Sequence, residues 1–174
     1  MLGGHSIAVV VPAYNEARHI ESMLRGVPDF VDHLIVVDDG STDATAQLAR
    51  ACGRPVSVLQ HAHNRGVGAA VAAGCRRAEA LGVELAAIMG ADAQMDPADL
   101  PALLHPLIEG RADFAKGNRL AWPSAHRSMP RLRWLGNHLF SLATRLALGT
   151  PYGDSQCGFV AMNRSVLHAV AWEA

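Results

Sequence analysis

Aromatic side chains are scarce in this chain: they make up 5% of it, against 50% for hydrophobic residues as a whole. The core must therefore be built mainly from Ala, Val and Leu, and Trp122, Trp134 and Trp172 are too scattered to suggest a stacking platform. Cysteine is scarce too. Cys52, Cys75 and Cys157 are odd in number and lack CxxC spacing, which argues against a disulfide scaffold or structural zinc site and makes a reducing cytosol the default. An excess of either charge is missing: Lys and Arg number 15, Asp and Glu 16, for a formal net charge of -1. That balance gives no global reason to expect a nucleic-acid partner. No uninterrupted apolar stretch reaches the ~20 residues that cross a bilayer. The start, MLGGHSIAVVV, has no basic run and no cleavage-site pattern, so it does not read as a signal peptide. A soluble or peripherally bound chain is expected.

What is present is a regular alternation of short apolar runs with helical patterns. At 174 residues the chain fits one domain, 1–174, with a real core. It stops without a clear end signal, so a longer parent is expected. IAVVV, HLIVVDD, VSVLQH, VELAAIMG and ADFAKGNRL read as strands, with amphipathic or Ala/Gly-rich helices between them. Asn15 is the expected cap of the first helix, Ser41, Thr42 or Asp43 of the second, and Asp96 of the helix that opens at Pro97. Continuous apolar strands, in place of strict alternation, predict a mostly parallel sheet covered by helices on both faces. Ligands of such α/β sheets sit beyond the carboxyl ends of the strands. That rule singles out Pro12 to Glu16, Asp38 to Ser41, Gly90 to Gln94, and Asn118 with Arg119.

Taken alone, VVDDGSTDAT is an Asp-Gly turn followed by a helix cap. Combined with VVVPAYNE one strand earlier, it resembles the nucleotide-binding half of the family-2 inverting glycosyltransferases. NRGVGAAVAAG is similar to that family's glycine-rich segment, and GADAQMDP stands where the family carries its D-x-D metal motif. KGNRL resembles the strand ending in a Gly-Ser-Arg-like tip, and DSQCGFVAMNR the D-x-x-(S/C)-G-F segment of dolichol-phosphate mannosyltransferase-like members. The glycine-rich segment lacks GxGxxG, because Val71 stands at the third glycine, which weakens a dinucleotide-binding alternative.

The resemblance implies a single-domain GT-A-type nucleotide-sugar-binding fold and a nucleoside-diphosphate sugar donor. It puts Pro12, Ala13, Tyr14, Glu16 and Asp39 around the nucleoside, and adds Gly66, Asp92 and Ala93 to the nucleotide-sugar contacts. Asp92 aligns with the second acid of the metal motif and Gln94 with its frequent Gln, whereas Gly90 departs from the first acid. Mg²⁺ or Mn²⁺ is the implied cofactor, since hard cations often take only one or two carboxylates and complete their shell with phosphate and water. Glu84 and Asp96 lie too far along the chain to replace the missing acid.

Arg119, Arg127, Arg131 and Arg133 form a basic group that suits an acceptor phosphate, although a solvated surface cluster is the ordinary reading of such charges. The resemblance matches Arg119 to the arginine of the Gly-Ser-Arg-like tip. It matches Arg133 to Asn137 with an R-x-x-x-S element, Asn137 replacing Ser. A polyprenyl phosphate, largely dianionic with a second pKa of ~6, attacks without a general base. A sugar or protein hydroxyl needs one, and Asp154 is the candidate in that alternative. A third alternative is a non-catalytic nucleotide-sugar-binding module whose metal site decayed at Gly90. The helix from Arg131 to Leu148 offers an apolar face to a membrane, to the sheet or to further chain. A cytoplasmic location, at the membrane's cytoplasmic face, is the matching expectation. His61 and His63, with no third ligand nearby, read as loop residues, not as a metal site.

Overall fold

IAVVVPA forms the central strand β1 (Ile7–Ala13), in which every residue but Pro12 is buried. A strand so apolar on both sides must have neighbours on both edges and cover on both faces. It pairs in parallel with β2 (His33–Asp38) on one edge and β4 (Leu85–Ile88) on the other, and β2 pairs in parallel with β3 (Val56–Gln60). β6 (Val160–Asn163) runs antiparallel to β4, and β5 (Phe114–Lys116) completes the order β3-β2-β1-β4-β6-β5. The expected mostly parallel sheet is present, with an antiparallel strand inserted between β4 and β5.

This is a computed structural model, and it describes residues 1–121, 131–149 and 153–172. Two compact units make it up, Met1–Ala115 with Phe159–Ala174, and Lys116–Gly158. In the first, the helices are α1 (Ile20–Gly26), α2 (Thr45–Ala51), α3 (Val67–Ala80), α4 (Leu100–Ile108) and α6 (Arg164–Ala169). Strand parity divides the core. Ala8, Val10, Ile35, Val37, Ala86 and Ile88 join Ala70, Cys75 and Ala78 of α3 and Leu167 of α6 in one buried cluster. The alternate residues Ile7, Val9, Val11 and Val36 are fully buried as well. Asp96 caps the turn before α4 as expected, its side chain accepting from Ala98 N.

The second unit contains α5 (Arg131–Leu148), and its amphipathic pattern is turned inside out. Ser141 is 3% exposed, and its Oγ accepts the Ser155 N–H at 3.0 Å. Leu132, Leu135, Leu139, Leu142 and Leu146, spaced three and four apart, are each more than half exposed. Among the described residues no helix is long and apolar enough to cross a membrane.

α3 lies against β1 and β2 because Gly74 lets it. A Cβ at that position would sit 2.2 Å from Cγ1 of Val10 and 3.2 Å from Cγ2 of Val37, both central in the sheet. Gly74→Ala should gain helix propensity yet still destabilise the protein by about 1–3 kcal/mol through overpacking. Urea denaturation is the measurement, and an unchanged midpoint would contradict this packing.

Candidate functional site at the carboxyl edge of the sheet

After β1 the chain builds β2 and β3 on one side and returns to place β4 on the other. The strand order reverses between β1 and β4, and a crevice opens at such a point beyond the strand ends. Register aligns the tips: Ala13 pairs with Asp38, and Met89, just past β4, donates its N–H to Val10 O at 2.9 Å. The β1 tip, the β2 tip and the Gly90–Gln94 turn therefore share one edge.

Parallel strands that stop leave N–H groups needing partners. The β1 tip solves this with the loop after β2. Asn15 N donates to Ser41 Oγ at 2.9 Å, Glu16 N to Thr45 Oγ1 at 2.8 Å, and Ala17 N to Asp43 Oδ2 at 3.1 Å. In return Asn15 Oδ1 accepts from Thr42 N at 2.9 Å. These bonds overturn the expected caps. Asn15 is not the cap of α1, which begins at Ile20 behind an uncapped His19; Asn15 adopts φ 56 to reach the neighbouring loop. Nor does Ser41, Thr42 or Asp43 occupy the N-cap of α2, which is Ala44. Asp43 does accept from Thr45 N at 3.0 Å, so it serves the first turn from one residue further out.

Asp39 is the centre of the next junction. It is 3% exposed, and its Oδ1 accepts from Arg65 N at 3.0 Å and lies 2.6 Å from His61 Nδ1, while Oδ2 accepts from Gly66 N at 2.8 Å. Burial alone raises its pKa, but the His61 bond, the two N–H groups and the His61 charge outweigh it and hold the carboxyl below its ordinary value. Gly40 makes the junction close: it has φ +73, and a Cβ there would meet the His63 carbonyl carbon at 2.5 Å. The reading of His61 as a plain loop residue is thus corrected. Its side chain is 11% exposed and bound to Asp39. Nothing local in QHAHNRG announces this, since the partner lies 22 residues earlier.

A cleft of ≈ 230 Å³ opens here, lined by Pro12 and Ala13 of β1 and Tyr14 just past it, by Asp39, and by Asn64, Val67 and Ala70 around the start of α3. Tyr14 is 45% exposed on its wall. Pro12, Ala13, Tyr14 and Asp39 are thus brought together as expected. Glu16 lies just past the tip, and Gly66 forms the N-cap of α3 with φ 89. This arrangement suits a flat polar ring: apolar walls, a buried carboxylate and a helix N-terminus nearby.

On the Gly90–Gln94 turn, Asp92 Oδ1 accepts from Gln94 N at 3.1 Å, and Ala93 takes φ 57. Gly90 donates its N–H to Met95 Sδ at 3.3 Å. Among the described residues no cluster of three or more His, Cys, Asp or Glu could hold a metal ion. One carboxylate with a neighbouring amide oxygen still fits a hard divalent cation, provided the ligand's own phosphates supply most of the shell. Glu84 is at the opposite end of β4, accepting from Ser6 N at 3.0 Å, and so cannot contribute.

The remaining expected residues belong to the second unit. Arg119 lies in a single-turn helix, Arg119–Ala121, and Arg131, Arg133 and Asn137 lie in α5. Arg127 falls outside the described residues. Asp154 is 1% exposed, and its Oδ1 accepts from Gln156 N at 3.1 Å.

Comparison with known proteins gives the family and the fold. The family model "Glycosyl transferase family 2" matches residues 8–170. The chain is 29% identical, over 95% of its length and 72% of the relative's, to a UDP-N-acetylglucosamine–dolichyl-phosphate N-acetylglucosaminyltransferase of Methanococcus voltae. It is 30% identical to an undecaprenyl-phosphate mannosyltransferase of Micrococcus luteus, over 97% of this chain and 70% of that one. Among solved structures it resembles glucosyl-3-phosphoglycerate synthase from Mycobacterium tuberculosis, crystallised with Mn²⁺, UDP and glucosyl-3-phosphoglycerate. There the TM-score is 0.69 at 27% identity, over 94% of this chain and 58% of that chain. The chain therefore spans only part of the length of each, and the expected GT-A-type fold is borne out.

Asp39 generates a prediction with a definite sign. Its folded pKa lies below the ordinary 3.8, so its stabilisation is fully present above that value and is lost as pH falls through the folded pKa. Asp39→Asn should cost about 1–3 kcal/mol near neutral pH, with the gap to wild type closing in acid. Denaturation at the two pH values checks this; a gap independent of pH would contradict it.

Proposed function

The chain belongs to glycosyl transferase family 2, and from that premise we propose that it moves a hexose from a nucleoside-diphosphate sugar to a polyprenyl phosphate, with inversion. The observation that carries the proposal is the cleft at the β1 and β2 tips, walled by Pro12, Ala13 and Tyr14 and floored by the buried Asp39. Tyr14 flanks the base, Asp39 accepts a hydrogen bond from base or ribose, and Glu16 lies at the rim. Gly66, at the start of α3, lets the backbone approach the diphosphate. Asp92 and Gln94 provide the oxygens for a divalent ion, Mg²⁺ or Mn²⁺, with Ala93 between them against the sugar. When bound, that ion supplies charge neutralisation for the departing nucleoside diphosphate. The solved relative holding Mn²⁺ and UDP supports a divalent ion of this kind.

The acceptor reading draws on relatives named for dolichyl and undecaprenyl phosphate. A phosphate dianion attacks the anomeric carbon by itself, so this chain's work is to hold it in line with the leaving group. Arg119, Arg131, Arg133 and Asn137 are assigned to that task, Arg offering paired donors to phosphate oxygens. The alternative acceptor, a hydroxyl, needs Asp154 as base. Its 1% exposure and its bond to Gln156 N favour the phosphate reading, in which Asp154 holds a turn.

Turnover decides the matter. Purified protein with Mn²⁺, a polyprenyl phosphate and each of UDP-glucose, UDP-N-acetylglucosamine and GDP-mannose should convert one donor to glycolipid. Asp92→Ala should lower that rate roughly 100-fold while leaving the melting temperature of the unliganded protein near wild type. Failure to consume any donor, with or without metal, would remove the proposal.

A lipid acceptor also requires access to a bilayer surface, and α5 has the right character. From Phe114 to Gly153 there is no Asp or Glu, while Lys116, Arg119, Arg127, Arg131, Arg133 and Arg145 all fall there. An exposed leucine stripe with basic residues suits the interface of an anionic membrane. Vesicles containing phosphatidylglycerol should co-sediment the protein, and the double change Leu139→Asp, Leu146→Asp should weaken this roughly tenfold. Equal sedimentation of both proteins would show that another surface makes the contact.

A further inference from the structure

We propose that His61 is a positioning residue for the nucleotide, acting through Asp39: its ring N–H occupies one oxygen of the carboxylate and leaves the other oxygen to face the ligand. The proposal rests on the reading of the cleft as a nucleoside-diphosphate site and deepens it.

The geometry starts at the end of β3. His61 N donates to Asp38 O at 2.9 Å, which continues the β2–β3 ladder one step past Gln60. That step sets the imidazole beside Asp39, with Nδ1 2.6 Å from Oδ1. An ionised carboxylate only accepts, so Nδ1 carries the proton; this tautomer is assigned from the partner. Arg65 N adds a second donor to Oδ1, while among the described residues Oδ2 receives Gly66 N alone. A carboxylate has about four acceptor positions. Three are therefore filled from inside the protein, and the fourth belongs to Oδ2. Because Asp39 also lines the cleft, that position is the one with which the chain addresses a ring N–H or a ribose hydroxyl.

The three donors come from two places. His61 reaches Asp39 from the β3 exit, whereas Arg65 and Gly66 reach it from the turn that opens α3. Asp38 is tied to the same strand end, its Oδ2 accepting from Gln60 Nε2 at 3.0 Å. Without the imidazole, the carboxylate keeps, among the described residues, the Arg65 and Gly66 bonds, both from the α3 side, and is held less firmly about its last torsion. The consequence falls on the ligand: Oδ2 is aimed less firmly, and the Asn64–Val67 wall is tied to a carboxylate that is itself less fixed. Such a defect weakens donor and transition state alike, so it raises KM and spares kcat.

The test compares variants that remove the N–H with one that returns it. His61→Ala and His61→Phe lack the donor, the second keeping ring volume, and His61→Asn restores an amide N–H at the position of Nδ1. Titration calorimetry with UDP and with GDP, in Mn²⁺ and well below each melting temperature, should show the donor-free variants binding roughly tenfold more weakly. The Asn variant should stay near wild type, and in turnover the loss should appear in KM. Either donor-free variant that folds suffices. Wild-type affinity in that variant overturns the role of His61 and leaves the nucleotide reading standing. Equal weakness of the Asn variant and the donor-free ones overturns it too, because the restored N–H should matter. A wild-type protein that binds neither nucleotide overturns the nucleotide reading itself, and the role of His61 with it.

Discussion

The backbone N–H groups stranded at the ends of parallel strands govern this protein. A parallel sheet delivers several such ends to one edge, and each unpaired N–H kept from water costs free energy comparable to a lost hydrogen bond. Short polar side chains answer the need throughout. Ser41, Thr45 and Asp43 serve Asn15, Glu16 and Ala17 in that order; Asp39 serves Arg65 and Gly66; Asp92 serves Gln94. The β1 tip, the loop after β2 and the start of α3 are thereby fixed to one another, and preorganisation of this kind spares a ligand the entropy of ordering them.

Asp39 shows what such double duty demands. A buried carboxylate is tolerated only when it is well hydrogen-bonded, and here its internal donors keep it ionised despite burial. An acceptor so held loses little when one more donor joins it, which is how one group can both close a loop and recognise a ligand. Gly40 contributes the steric half of the arrangement, since any side chain there would strike the His63–Asn64 backbone. Sequence and chemistry meet in the pair Asp39-Gly40: the acid is useful because its neighbour has no Cβ.

Much of this was legible in the sequence, and the exceptions have a common cause. Continuous apolar runs identified the strands of the parallel sheet, and Asp96 before Pro97 identified a cap, because these signals lie within a few residues of what they control. Asn15 and Ser41 to Asp43 look like caps for the same local reason, yet their partners lie 26 and 27 residues away across the sheet edge. His61 has no local signal at all. On α5 the apolar period was readable, but period does not say which face turns outward, and here Ser141 is covered while the leucines are not. A face can be counted along the chain; its partner has to be seen in space.

Gly90 has a meaning beyond the loss of an acid. A Cβ there would lie 3.2 Å from Asp92 Oδ1 and 3.8 Å from the Met95 methyl, so any side chain must be accommodated against the one carboxylate of the turn. A second carboxylate would also set two like charges side by side, which disfavours ionisation of both in the absence of a cation. With glycine the turn carries a single negative charge, and on the proposed function most of the cation's oxygen ligands must come from the donor's diphosphate. Cation and donor then depend on each other. Linkage makes that dependence reciprocal, so each raises the other's affinity by the same factor. On that proposal, a turn with one acid would hold a divalent ion through Asp92 mainly when the sugar nucleotide is also bound.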